Sequence, residues 1–422
     1  MTETPVIGLA IFVITYALIA TERLHKTIAA MAGGLAMILL GIVSQERAFE
    51  EIDFNVIFLL AGMMILAGII RKTGVFGWIA VRAARFARGE PYRILVVLSI
   101  ITAVASAFLD NVTTVVLVGP ITLFLAARMG MNPFPFLVSE ILASNIGGAS
   151  TLIGDPPNIL IGSAAGLDFT AFLFHMAPLA AVLLAVYLVA ARWLFRDLLV
   201  VDPELRDSLL ELNEREMIAH PRLLRVSLAV LGLTLVGFLL HGALHLEPAT
   251  IALGGAVLLM VLARESPEEV LRDVEWPTLF FFIGLFMLVA GVIEIGLIGA
   301  IADAITGISG GALAGTSLLM LWMSAVLSGV VDNIPYTATM IPVVERLAEG
   351  QPNDALWWAL AIGADLGGNA TIIGASANVI LAGMAEREGH PLTFGRFLRY
   401  GVPVTLGTMV IATGYVWLRY LL

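Results

Sequence analysis

The chain has 422 residues, of which 59% are hydrophobic and 13% charged, at a mean hydropathy of +0.96. Soluble domains carry about 25% charged residues, so this composition excludes a soluble globular protein and describes a polytopic membrane protein. A net charge of -10 without any basic block argues against nucleic acid, and the absence of Cys excludes disulfides, thiolate metal sites and cysteine nucleophiles.

In chain order, apolar runs at Val6–Ala20, Thr27–Val43 and Asn55–Ile70 are each near the length needed to cross about 30 Å of hydrocarbon. The first follows Glu3 rather than a basic segment, so it reads as a retained span, not a cleaved signal. Phe76–Arg88 places Arg82, Arg85 and Arg88 at helical spacing among Phe76, Trp78, Ile79 and Phe86, the pattern of a helix lying in the interface. Ile94–Ala127 is too long for one span and is interrupted by Asp110-Asn111, so it is either two full crossings with an outside turn or a re-entrant hairpin over 92–127; the lack of a hydrophilic loop favours the hairpin, with its tip buried. Phe134–Ala165 is broken by Gly147-Gly148 and Pro156-Pro157, predicting one span over 134–165 unwound near its middle. Phe169–Phe195 closes a first unit at residue 195.

A charged linker, 196–221, reads as cytoplasmic with a short helix in PELRDSLLELNERE. The pattern then recurs. Val226–Leu240, Ala249–Ala263 and Thr278–Ile295 precede a second hairpin over 312–346, a second broken span over 355–384 and a final span, Val402–Tyr420, within a second unit of 222–422. Asp110-Asn111 and Pro120 match Asp332-Asn333 and Pro342 at an offset of 222, while Gly147, Gly148, Thr151, Gly154 and Asn158 match Gly367, Gly368, Thr371, Gly374 and Asn378 at 220. The fold class expected is therefore an all-α polytopic membrane protein of two copies, each with five crossings and one hairpin. An odd number of crossings turns the second copy over relative to the first, the inverted repeat of many secondary transporters. Lys and Arg placement agrees: with the Arg71–Arg93 loop cytoplasmic, all 23 except Arg47, Arg346 and Arg419 fall on that side.

Polar residues cluster where this scheme reaches mid-bilayer. Asp110, Asn111, Thr113, Asn145, Asp155 and Asn158 come from the first copy, and Asp332, Asn333, Thr337, Asp365, Asn369 and Asn378 from the second. Four central Asp facing lipid would cost on the order of 10 kcal/mol, so they must face each other, water or a ligand. The breaks at Gly147-Gly148-Thr151 and Gly367-Gly368-Thr371 also free backbone N–H and C=O groups for anions and cations. Plainer roles compete: Asp110, Asn111, Asp332 and Asn333 as helix caps, the glycines as packing positions, Pro156-Pro157 and Glu140 as structural, and His241 and His245 as interfacial.

These motifs, covering nearly the whole chain, resemble the ion transporter superfamily, most closely the branch of arsenite permeases, the melanosomal P protein and NhaD-type sodium/proton antiporters, with divalent anion:sodium symporters as cousins. The resemblance implies a homodimer whose transport domain of hairpins and broken helices moves in an elevator-like step. Where the anion symporters carry Ser-Asn-Thr at the hairpin tips, this chain has Asp110-Asn111-Val112 and Asp332-Asn333-Ile334. With no Lys or Arg evident beside these Asp, a dicarboxylate is disfavoured. The expected function is secondary transport in the cell inner (plasma) membrane: proton-coupled efflux of arsenite or antimonite, with sodium/proton antiport as the alternative. The partners are a small inorganic solute or ion and the bilayer, the coupling ion is H+ or Na+, and no cofactor and no enzymatic activity are expected. An intramembrane aspartyl protease would need Tyr-Asp and Gly-x-Gly-Asp motifs, which are missing, and a passive channel is the remaining alternative.

Overall fold

The computed structural model describes residues 3–21, 23–199 and 217–422, so the helix expected in PELRDSLLELNERE lies outside the described residues. The first part runs α1 (Glu3–Ala20), α2 (Lys26–Leu39), α3 (Gln45–Glu50), α4 (Phe54–Lys72), α5 (Val75–Phe86), α6 (Pro91–Leu109), α7 (Asn111–Arg128), α8 (Phe134–Gly148), α9 (Pro156–Ala165), α10 (Phe169–His175) and α11 (Ala177–Leu194). The second runs α12 (Pro221–Leu244), α13 (Pro248–Ala263), α14 (Pro267–Arg272), α15 (Trp276–Glu294), α16 (Leu297–Ser309), α17 (Leu313–Ser328), α18 (Asn333–Ala348), α19 (Ala355–Gly367), a 3-10 turn (Ile372–Gly374), α20 (Ser376–Arg387) and α21 (Phe394–Val416). No strand occurs among the described residues. Helices α12 to α20 repeat α1 to α9 one for one, and α21 stands where α10 and α11 stand.

Local chemistry sets the boundaries. Pro opens α6, α9, α12, α13 and α14, where its missing N–H costs nothing. Asp53 caps α4 through the amides of Asn55 and Val56, and Asp168 caps α10 through Ala171. Two expectations change here. The stretch from Phe169 to Phe195 is not one helix: it is divided at Met176 into α10 and α11, and α10 stands at 116° to α9, which Gly166 at φ +63° ends. The second hairpin is also preceded by α16, bent 116° from α17, the counterpart of α5.

Among the described residues, seven helices (α4, α6, α7, α11, α12, α15 and the α21 stretch) are long and apolar enough to cross a membrane, or up to nine spans if each bent pair is one. The outward faces are apolar: Val261, Trp193, Leu39 and Ile308 are exposed, which suits lipid rather than water.

Packing between the copies is reciprocal. Helix α2 lies along α15 while α13 lies along α4, and α7 packs on α20 while α18 packs on α9. Such an exchange of partners is what a twofold relation produces. Within each copy the first hairpin arm follows the first half of the broken span, α6 on α8 and α17 on α19. Ala103 sits beside Gly147 and Ala107 beside Thr151, so α6 and α8 run parallel, whereas Asn111 meets Asn145 and Thr122 meets Glu140, so α7 runs back. The chain therefore reverses at Asp110. In the second copy Tyr336 Oη lies 2.9 Å from Ser324 Oγ, twelve residues away across the turn, which only a hairpin allows.

The hairpins seat on glycine. A side chain on Gly147 would run into the backbone of Ala103, and one on Gly367 would stand 2.5 Å from the carbonyl of Ala325. Neither neighbour is a side-chain end that can turn aside. We expect Gly367→Val to cost about 1–3 kcal/mol through overpacking, read as a lower melting temperature in detergent. Gly254→Ala, in a helix with open space around it, should hold or raise that temperature.

Candidate functional site

Both hairpin turns are capped by their own Asp. Asp110, at φ +70°, accepts from the Thr113 amide at 2.8 Å and the Thr113 hydroxyl at 2.7 Å, and Asp332 accepts from the Ile334 amide at 3.1 Å. Capping turns the next residue inward. Asn111 and Asn333 each donate to one carboxylate, Asp155, at 2.9 and 3.3 Å, so the two copies converge on a single side chain at the start of α9.

An amide ring surrounds that point. Asn145 Nδ2 donates to Asn369 Oδ1 and to Asn378 Oδ1, each at 3.0 Å, and its Oδ1 accepts from Asn111 at 3.3 Å. Asn158 donates to the carbonyls of Gly148 (3.4 Å) and Thr151 (3.0 Å), and Asn378 to those of Gly368 (2.7 Å) and Thr371 (2.9 Å). Each break is thus laced by the Asn of the helix that follows it. Thr151 and Thr371 tie the breaks to the hairpins through the carbonyls of Ala107 and Gly329. Asp155, Asp365, Asn145, Asn158, Asn369 and Asn378 are all fully buried, and Asp365, Asp332 and Asp110 lie within Coulombic range of Asp155. Carboxylates enclosed this way require compensating charge, supplied by a proton or a bound cation where no ammonium is near.

Beside the turns lies a cavity of about 500 Å³ lined by Asp110, Asp332, Glu275, Lys26, His25 and Ser376 among apolar residues. Here the expectation that no Lys or Arg stands near the Asp cluster is overturned: Lys26 Nζ is 3.2 Å from Asp332 Oδ2 and 2.5 Å from Ser376 Oγ, and Ser376 donates to the same carboxylate at 2.6 Å. Lys26 begins α2 of the opposite copy, and at that position a lone Lys reads as the flank of a span. Only the packing of α2 against α15 carries it to Asp332. Tyr16 of α1 reaches the same hairpin, donating to the Pro335 carbonyl at 2.5 Å and contacting Thr339. Glu275, in the cap position of α15, is the other acid the sequence reading passed over. The one available signal was Ser376 itself, which replaces Pro156 in the repeat.

The residues singled out from the sequence thus divide by role. Asp110, Asn111, Asn145, Asp155, Asn158, Asp332, Asn333, Asp365, Asn369 and Asn378 come together at the meeting of hairpins and breaks, Thr113 serves Asp110, and Thr337 is a buried hydroxyl without a partner. Gly147, Gly148, Gly367 and Gly368 face backbone or Ala375 at close range. Thr151 and Thr371 are ties. Glu140 is bonded to Thr122 with its other oxygen unpartnered, and His241 contacts the Leu246 carbonyl at 3.3 Å.

Comparison with known proteins agrees with this architecture. A family model described as CitMHS, citrate transporter, matches residues 16–363. An "uncharacterized transporter" of Mycobacterium tuberculosis is 45% identical over 98% of each chain. The P protein of Homo sapiens is 35% identical over 98% of this chain and 60% of its own length. The crystal structure of the YdaH transporter of Alcanivorax borkumensis shares the fold, with a TM-score of 0.55 over 99% of each chain at 15% identity.

The ring makes Asn145 its most connected member. Asn145→Leu should leave the Oδ1 atoms of Asn369 and Asn378 without this donor and take from Asn111 one of its two acceptors, at about 1–3 kcal/mol for each buried group left unpaired. The melting temperature should therefore drop further than in Thr113→Val, and an equal drop in the two variants would count against the ring as a structural unit.

Proposed function

The chain belongs to the CitMHS citrate transporter family and is a membrane transporter, and from that premise we propose that it couples proton movement to transport of a small, uncharged, hydroxyl-rich solute, with arsenite or antimonite trihydroxide as the form that fits best. The observation that carries this reading is the charge of the 500 Å³ cavity: three carboxyl side chains, Asp110, Glu275 and Asp332, face Lys26 and His25, and Lys26 is already engaged by Asp332. A free tricarboxylate such as citrate would meet an acidic surface there, while an uncharged trihydroxide would meet carboxyl, hydroxyl and ammonium groups able to accept and donate. Without Cys, recognition rests on oxygen and nitrogen groups. Sodium/proton antiport is the second reading, favoured by the density of carboxyl and amide oxygens, the hard ligands that sodium takes.

In this reading the two copies are inverted across the membrane. The reciprocal packing supports a twofold relation, and an odd number of crossings per copy would set its axis in the membrane plane. In the same reading, the tips that meet the breaks of α8–α9 and α19–α20 form a site part-way through the bilayer, which the hairpins reach from opposite sides. An elevator-like step, a homodimer and residence in the bacterial inner membrane belong to the same proposal.

Two measurements test it. In liposomes with the purified protein, arsenite or antimonite should drive proton movement, and Asp332→Asn and Asp110→Asn should cut that coupled flux about tenfold, or about 1.4 kcal/mol. Proton movement driven by sodium alone would favour antiport, and flux with citrate alone would overturn the solute assignment. For orientation, Ala127→Cys and Glu349→Cys place single thiols at exposed, repeat-related positions in a chain without other Cys. A membrane-impermeant thiol reagent should reach them from opposite sides. Labelling of both from one side would rule out the inversion.

A further inference from the structure

Asn145 and Asp365 occupy the same place in the two copies, 220 residues apart, and so do Asn158 and Asn378. In one pair the donor is plain: Asn145 Nδ2 gives a hydrogen bond to Asn378 Oδ1 at 3.0 Å. In the other pair Asp365 stands beside Asn158, yet Asn158 Oδ1 and both Asp365 carboxyl oxygens are buried without any partner. The orientation of the Asn158 amide is not free to change, because its Nδ2 is held by the carbonyls of Gly148 and Thr151 just as Asn378 is held by those of Gly368 and Thr371. With Nδ2 committed to those carbonyls, Oδ1 is the atom Asn158 has left to offer Asp365, and an ionised Asp365 would bring acceptor to acceptor. A carboxylic acid there would donate as Asn145 does.

We infer that Asp365 is the residue that holds the transported proton, as a carboxylic acid whose O–H is given to Asn158 Oδ1. This deepens the proton-coupled reading and rests on it. Helix α19 packs on α8, α9, α17, α18 and α21. Asp155, at the cap position of α9, and Asp365 act on one another, and Asp332 at the cap position of α18, which holds Lys26, lies within Coulombic range of Asp155. Glu140 is bonded to Thr122, Tyr336 to Ser324 and Tyr415 to the His175 carbonyl. Glu345 and Arg346 line a separate cavity, Arg396 lies over Phe134, Tyr400 packs on Phe134 and Phe195, and Arg399 is exposed. Lys26 is engaged by Asp332, and among the described residues no cation bonds to Asp365, so the proton is what lets α9 of one copy sit against α19 of the other. Release of that proton to water leaves a carboxylate facing an amide oxygen and a second acid, which pushes the two broken spans apart.

The test compares Asp365→Asn, Asp365→Leu and Asp155→Asn with the wild-type protein by melting temperature, infrared spectroscopy and coupled flux. Asp365→Asn should melt no lower than wild type, since its amide can repeat the Asn145 bond, while Asp365→Leu should melt lower. The wild-type carbonyl band of a protonated carboxyl group should lose intensity in Asp365→Asn and keep it in Asp155→Asn. Solute-driven proton flux should fall about tenfold or more in Asp365→Asn, with fewer protons moved for each solute. Loss of a carboxylate band instead, as an Asp365 paired to Asn369 or to sodium would give, overturns the inference, and so does an unchanged proton-to-solute ratio. If wild-type protein couples no solute to protons yet the protonated band vanishes in Asp365→Asn, the proton seat stands and the proposed function falls.

Discussion

Asp155 is the constraint on which the rest of the structure depends. It is fully buried and accepts one amide hydrogen from each hairpin turn, through Asn111 and Asn333. A carboxyl group at that depth is tolerated only with its lone pairs occupied, and supplying both amides brings the tips of two hairpins, and hence two copies of the unit, to one place. The breaks at 149–155 and 368–375 follow from the same requirement. A continuous helix would bury the backbone groups that the threonine and asparagine ties use, and would leave no room for the turns.

Repetition explains the frame, and its failures explain the chemistry. The frame is symmetric: α2 with α15 against α13 with α4, Thr151 on Ala107 against Thr371 on Gly329, Asn158 against Asn378. At the centre the matching stops, because residues near a twofold relation meet their own counterparts and need not remain identical. Asn145 corresponds to Asp365 in the repeat, Asp155 to Ala375, and Pro156 to Ser376, whose hydroxyl joins Lys26 on Asp332. Each departure puts an acid, a donor or a cation where the other copy has none. A single pocket with distinct ends results, rather than two equal ones.

Lys26 shows why a pocket cannot be composed from its nearest motif. It precedes an ordinary apolar helix, lies 306 residues from its partner in the chain, and is half-buried beside Asp332. Its effect is to moderate an acidic cavity without reversing its sign, since Asp110 and Glu275 also face that space. The ammonium also stacks over Phe281 at 5.1 Å, so it is held from two sides by the helix pair that joins the copies.

The sequence by itself determined the class of protein, the presence of two copies, and the helices and their interruptions to within a few residues. Those features arise from hydropathy, from Gly and Pro, and from the self-capping Asp at each turn, all of which act over short stretches of chain. Most residues of the site were also legible, because polar groups are costly in apolar segments and therefore stand out. What the tertiary structure alone decided was pairing: that Asn111 and Asn333 share Asp155, that Gly147 and Gly367 lie against hairpin backbone, that Lys26 reaches Asp332, and that α10 turns away from α9. Such pairings depend on which helix faces lie against each other across the copies, and no periodicity within a single helix carries that information.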